Sequence, residues 1–158
     1  MNRVHRFVEF TLEGQRYALP LAVVERIVHA VLVTKVPESP EIVLGLINMG
    51  GRMVPVINLR KRFGFRDREV SPNDRMILAN TPRWRVVLWV DAVPGVFECS
   101  GSEVVPSGKV FPGMEGISGV MKMDGEIIQI YDLEKCLSLD DEGFLCAAIV
   151  NAEGAGKE

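Results

Sequence analysis

Two stretches decide how this chain is read: Gly45-Leu-Ile-Asn-Met-Gly-Gly-Arg-Met-Val-Pro-Val-Ile-Asn-Leu-Arg-Lys-Arg-Phe-Gly64 and Gly119-Val-Met-Lys-Met-Asp-Gly-Glu-Ile-Ile-Gln-Ile-Tyr-Asp-Leu-Glu-Lys-Cys-Leu-Ser138. Set against each other without gaps, Gly45 meets Gly119, Met49 meets Met123, Gly51 meets Gly125, Leu59 meets Leu133 and Lys61 meets Lys135. The shared grammar says more than these identities. Each copy places two turn residues between apolar runs, Gly50-Gly51 or Asp124-Gly125, dipeptides favoured in type I′ hairpin turns. Each continues as a strand, Met53 to Ile57 or Ile127 to Tyr131. A polar residue follows, Asn58 or Asp132, whose side chain can cap the free N–H groups of a short helix. Leu59 and Phe63, like Leu133 and Leu137, lie four apart and would pin one helix face to the sheet.

Outward from these copies the chain keeps a β character. Phe7, Val8, Phe10 and Leu12 precede a turn at Glu13-Gly14, and Tyr17, Leu19 and Leu21 follow it, so the opening reads as a hairpin with Gly14 in the tight turn. Val23 to Val36 is rich in Val and Ile, as expected of strands buried on one or both faces. Pro37-Glu38-Ser39-Pro40 breaks it. Val70 to Trp84 holds turns around a short strand, Met76 to Ala79. Leu21-Ala22-Val23 is echoed at Asp91-Ala92-Val93. The reading is a mainly β chain of two related small barrel lobes with short helices, each too small to be comfortably stable alone and therefore packed together.

Composition bounds the function. With 158 residues, 47% hydrophobic and 25% charged, the chain is a globular domain of ordinary size. A net charge of −3 is too mild to imply a nucleic-acid or membrane partner. Cys99, Cys136 and Cys146 lack the spacing of a disulfide or zinc framework and suit a reducing compartment. Met1 to Phe10 has no signal-peptide core, and Phe144 to Val150 is far shorter than the ~20 residues that span a bilayer, so the expected location is the cytoplasm. Asn151 to Glu158 has the small, polar composition of a disordered end.

No catalytic constellation emerges. His5 and His29 sit in no zinc-binding pattern, and neither a nucleophile elbow nor a phosphate-binding loop occurs. Asp91, after the apolar run Val86 to Val90, reads better as a turn or helix cap than as a catalytic carboxylate. The chain is therefore expected to be no enzyme, with no cofactor and no metal. The rival reading rests on Arg60, Lys61, Arg62, Arg66 and Arg68 interleaved with Phe63 and Phe65, since small barrels bind single strands through cations and aromatics. Asp67 and Glu69 dilute that cluster, and Phe63 is needed inward, so nucleic-acid binding stays the alternative.

The run Gly45 to Arg60 resembles the signature of CheW-like domains, G-x-x-N-L-R-G-x-x-x-P-V-[IV]-D-L-R. Phe7 to Leu21, Val87 to Val96 and Gly119 to Leu137 resemble the family's other segments in order, so the likeness covers about residues 5 to 140. The resemblance implies two five-stranded SH3-like or OB-like barrels, lobes roughly 16–66 and 84–138 with strands open to exchange, and a C-terminal extension at 141–158. It also implies a non-catalytic adaptor coupling chemoreceptors to a CheA-type histidine kinase in chemotaxis signalling. The partners are the kinase's regulatory domain and the cytoplasmic tip of a chemoreceptor, which would recruit the chain to membrane receptor arrays without insertion. Receptor-facing positions carried over are Val24, Val28, Gly45, Asn48 and Gly50 in the first lobe, and Val93 and Val96 in the second. Gly14, Gly51, Asn58, Gly125 and Asp132 are the structural turn and cap positions. Two departures stand out: Gly50 replaces the family arginine before the second turn glycine, and Asn58 replaces the aspartate of the V-[IV]-D-L-R segment. Turn and cap survive both, but the cation is lost.

Overall fold

A computed structural model of the chain describes residues 4–39, 41–82, 84–106 and 117–134. The expectations for residues 141–158, including the run Phe144 to Val150, lie outside the described residues, as do Leu137, Cys136 and Cys146.

The strands follow one another as β1 (Val4–Leu12), β2 (Gln15–Pro20), β3 (Val24–His29), β4 (Val43–Met49), β5 (Arg52–Asn58), β6 (Arg75–Asn80), β7 (Arg85–Val90), β8 (Ala92–Ser100), β9 (Val105–Pro106), β10 (Ile117–Met123) and β11 (Glu126–Tyr131). One short helix, α1 (Leu59–Arg62), follows β5, and 3₁₀ turns precede β3 and β9. The three tight hairpin turns carry positive φ at both central residues: Glu13-Gly14 at 51° and 77°, Gly50-Gly51 at 61° and 88°, Asp124-Gly125 at 54° and 80°. That is the type I′ geometry whose twist suits a hairpin.

The strands form two sheets, ordered β8-β1-β2-β11-β10-β9 and β3-β6-β7-β5-β4. The orders match once the two-residue β9 is set aside. In each, an antiparallel hairpin (β1-β2 or β6-β7) lies beside a second hairpin (β10-β11 or β4-β5) through one parallel pairing, β2 with β11 and β7 with β5. The two sequence repeats, β1 to α1 and β6 to the segment after β11, do not each make their own sheet. The first repeat leaves β1-β2 in one sheet and sends β3, β4 and β5 to the other; the second does the reverse with β6-β7 and β8 to β11. By sheet membership the lobes are 24–90 on one side and 4–20 with 92–131 on the other. Local pattern identifies a strand but not its non-local partner, so the chain bounds of the lobes escape a linear reading.

Each sheet curls towards closure. After β3 the chain bends back so that Thr34 bridges Leu46 on the opposite edge, with both backbone hydrogen bonds formed (2.9 and 2.8 Å). After β8 it bends likewise, and β9 pairs with β10 at Pro106–Gly119 and Val105–Val120.

The hairpins β1-β2 and β6-β7 are buried on both faces. In β6 and β7, Ile77, Ala79, Val86, Leu88 and Val90 face a core shared by the lobes, while Met76, Leu78, Val87 and Trp89 face the core of their own lobe. In β1 and β2, Phe10, Leu12, Tyr17 and Leu19 enter the shared core, and Phe7 and Ala18 the other lobe's own core. Double burial explains why Met76–Ala79 and Val86–Val90 read as unbroken apolar runs. The stretch Val23 to Val36 departs from expectation. It contributes the edge strand β3, whose Ile27 is 37% exposed, and a loop where Leu32 is 91% exposed. Its Val and Ile content reflects β propensity on an edge rather than two-sided burial.

Candidate functional site: the lobe junction and the exposed edges

The chain passes from one lobe to the other between β7 and β8, at Asp91, and a charged network gathers there. Arg60, in α1 of the lobe 24–90, is wholly buried and forms ion pairs with Glu13, in the β1-β2 turn of the other lobe, and with Asp91. Asp91 also accepts from the Glu13 backbone N–H (2.9 Å) and from Arg68 (2.7 Å), while its own N–H donates to Thr11 (3.0 Å). Arg68 grips Asp74 with both terminal nitrogens at 2.8 Å. The guanidinium carbons of Arg60 and Arg68 lie 5.4 and 5.2 Å from the Trp89 ring centroid, within cation–π range.

Asp74 is buried, and burial alone would raise its pKa. Hydrogen bonds from Arg68, the Ser71 N–H and the Trp89 indole N–H, with the Arg68 charge, outweigh that and hold it at about 2. The carboxylates of this junction are thus committed to internal cations. Asp91 joins the lobes, in keeping with a structural reading of that residue. Among the described residues no group of three or more His, Cys, Asp or Glu side chains converges as a metal site.

The basic stretch loses its nucleic-acid logic here. Arg60 and Arg68 are spent inside the network, and Lys61 lies 3.8 Å from Asp67. Phe63 and Phe65 pack on the shared core, Phe63 stacking on Tyr131 with centroids 4.6 Å apart. The two aromatic rings face the core while Lys61 and Arg66 stay exposed, so rings and cations do not share one surface. The internal role of Arg60 was missed in sequence; its one signal was its place directly after the buried Leu59.

The carried-over positions fall on three strands. Val24 and Val28 lie on edge strand β3, partly buried, Val24 against the shared core and Val28 against its own lobe's core. Val93 and Val96 lie on edge strand β8, Val93 against the shared core and Val96 55% exposed. Asn48 and Gly50 are exposed at the β4-β5 turn, where the Asn48 side chain accepts from the Gly51 N–H (2.8 Å). Gly45 is buried: an added Cβ would stand 2.3 Å from the Thr34 carbonyl oxygen and 2.7 Å from a Val33 methyl. The chain's own Thr34 thus makes a close backbone approach to Gly45.

Gly14, Gly51 and Gly125 hold the hairpin turns. Asn58 caps α1, its Oδ1 accepting from the Lys61 N–H at 3.3 Å, and its Nδ2 donates to Asp67 at 3.2 Å. The second bond accounts for asparagine here, since an aspartate could cap the helix but could not donate to Asp67. Asp132 stands at the corresponding place, ahead of the buried Leu133.

The molecule this describes is a strand-exchanged pair of small barrels, locked by a buried charge network and offering two edge strands outward. The chain belongs to the CheW-like domain family, whose pattern matches residues 6–141. Similar proteins include Chemotaxis protein CheW of Helicobacter pylori, 24% identical over 88% of this chain and 85% of that one. Chemotaxis protein CheW of Thermotoga maritima is 28% identical over 82% of this chain and 85% of its own. The crystal structure of the scaffolding protein TtCheW from Thermoanaerobacter tengcongensis superposes with a TM-score of 0.79 at 32% identity, covering 87% of this chain and 95% of that one. The described residues hold no helix long and apolar enough to cross a membrane.

Proposed function

We propose that this chain is a chemotaxis scaffold, a cytoplasmic and non-catalytic adaptor that couples a chemoreceptor to a CheA-type histidine kinase. The observation that carries the reading is the extent of the likeness: it runs through both lobes, residues 6–141, and extends to a solved protein described as scaffolding. The geometry supports it, since the carboxylates at the junction are tied up in ion pairs and the features left outward are strand edges and turns.

The receptor, an α-helical hairpin tip, meets the edges β3 and β8, where Val96 and the partly exposed Val28 offer apolar contacts. The kinase's regulatory domain, itself CheW-like, docks barrel to barrel. The adaptor shifts kinase activity by preferring one of its states, because a partner biases an equilibrium only through differential affinity. Co-purification with a CheA-like kinase and a receptor fragment, followed by kinase assays with and without this chain, tests the proposal. Association with both and a changed kinase rate are expected; association with neither ends it.

A further inference from the structure

Two loops of the lobe 24–90, at residues 30–35 and 67–72, line a cleft of about 680 Å³ with Leu44 of β4. Val33, Leu44 and Val70 continue from the cleft into that lobe's own core. Val31 and Leu32 do not: they are 44% and 91% exposed on the same lining.

Neither loop is loose, because Asp74 ties both. Its carbonyl accepts from the Ala30 N–H (3.1 Å), and its carboxylate accepts from Arg68 (2.8 Å) and from the Ser71 N–H (2.8 Å). The first loop is pinned again at Thr34, which exchanges both backbone hydrogen bonds with Leu46. Leu32 is therefore held outward between two anchors, and presenting it to a partner costs little ordering.

The cleft also carries one uncommitted charge of each sign. Lys35 and Glu69 are exposed on its lining, and among the described residues neither side chain joins an ion pair. The neighbouring charges are spent, Asp67 on Lys61 and Arg68 on Asp74 and Asp91. A surface with an apolar projection, an apolar recess and both signs of charge is complementary to itself. That is the requirement of a two-fold contact, in which each residue pair occurs twice. A ligand of single charge would satisfy only half of it.

We propose that two copies of this chain pair about a two-fold axis at this cleft. Each seats Leu32 against the partner's Val33, Leu44 and Val70, and each Lys35 faces the partner's Glu69. The pairing rests on the cleft alone and is independent of the adaptor reading.

Sedimentation equilibrium of the full chain tests it. The contact lies at the small end of specific interfaces, so half-association is expected on the order of 100 μM, and a chain still monomeric at about 1 mM overturns the proposal. Leu32→Asp should weaken association at least about tenfold, as for an interface anchor; an unchanged constant places the contact elsewhere and also overturns it. Lys35→Glu and Glu69→Lys each set like charges across the axis, so each variant alone should stay monomeric where the parent chain pairs. An equimolar mixture of the two should associate, since each then supplies the sign the other lacks. Variants that had merely misfolded could not regain association on mixing. A mixture that stays monomeric, or single variants that pair as well as the parent, refutes the two-fold contact.

Discussion

A β-carbon placed on Gly45 would stand 2.3 Å from the carbonyl oxygen of Thr34, so the absence of a side chain at 45 is what lets the lobe 24–90 close on itself. Gly119 repeats the arrangement in the other lobe, 2.9 Å from the Val105 oxygen and 2.8 Å from a Val104 methyl. Gly45→Ala should therefore cost about 1–3 kcal/mol through overpacking. Gly119→Ala should cost less, because the nearest backbone atom there stands 2.9 Å away rather than 2.3 Å. Urea midpoints at unchanged m-value decide this; equal stability of G45A and the parent chain would refute it.

Arg60 is the buried cation that ties the β1-β2 turn to α1 and to the crossover at Asp91. Its removal leaves two carboxylates facing each other across the junction. Arg60→Ala is expected to lose about 1–3 kcal/mol, since the carboxylates left behind are partly exposed and Asp91 keeps its bond from Arg68. The exposed Arg66→Ala should stay within about 0.5 kcal/mol of the parent. Chemical denaturation of the two variants side by side is the measurement.

Asp74 links stability to pH at the acid end. Its folded pKa is lowered to about 2, below the ~3.9 of a free aspartate. A depressed carboxylate contributes stability that is complete above the unfolded value and lost as pH falls through the folded one. Stability should thus decline from about pH 4 towards pH 2, and Asp74→Asn should flatten that part of the profile. Thermal midpoints across this range, compared for the two proteins, test the sign.

Asn58 caps a helix and donates to Asp67 at once. Asn58→Asp restores the family residue, yet it sets a carboxylate against Asp67. The single substitution should destabilise at neutral pH by about 1 kcal/mol or more, and adding Asp67→Asn should recover most of the loss. A double-mutant cycle at neutral pH measures the coupling; independent, additive effects would contradict the bond.

Val24 and Val96 separate packing from recognition. Val24 rests on the shared core, so Val24→Asp should lower stability by about 1–3 kcal/mol, read as a shifted urea midpoint. Val96 is more than half exposed. Val96→Asp should leave the midpoint unchanged while weakening capture of a receptor fragment in a pull-down. Full capture by a folded V96D protein would remove that residue from the interface.

Much of this was legible along the chain, and the limits have physical causes. Hairpin turns could be read because type I′ geometry needs particular residues at two adjacent positions, and Gly51 and Gly125 supply them. The cap at Asn58 was readable for the same reason, but its second bond to Asp67 was not, since that depends on how the following loop folds back. Val24, Val28 and Val93 looked equivalent to Val96 in sequence. Burial distinguishes them, and burial is set by the strands packed behind.

By itself, then, the sequence determined the hairpins, the caps, the duplication and the mainly β class, all of which follow from short-range backbone geometry and side-chain alternation. The tertiary structure alone decided that the hairpins β1-β2 and β6-β7 sit in the opposite lobe from the strands that follow them in each repeat, that Arg60 lies inside, and that Gly45 lets Thr34 approach. These are choices among non-local partners. Their free energy comes from contacts between residues far apart in the chain, which no local pattern encodes.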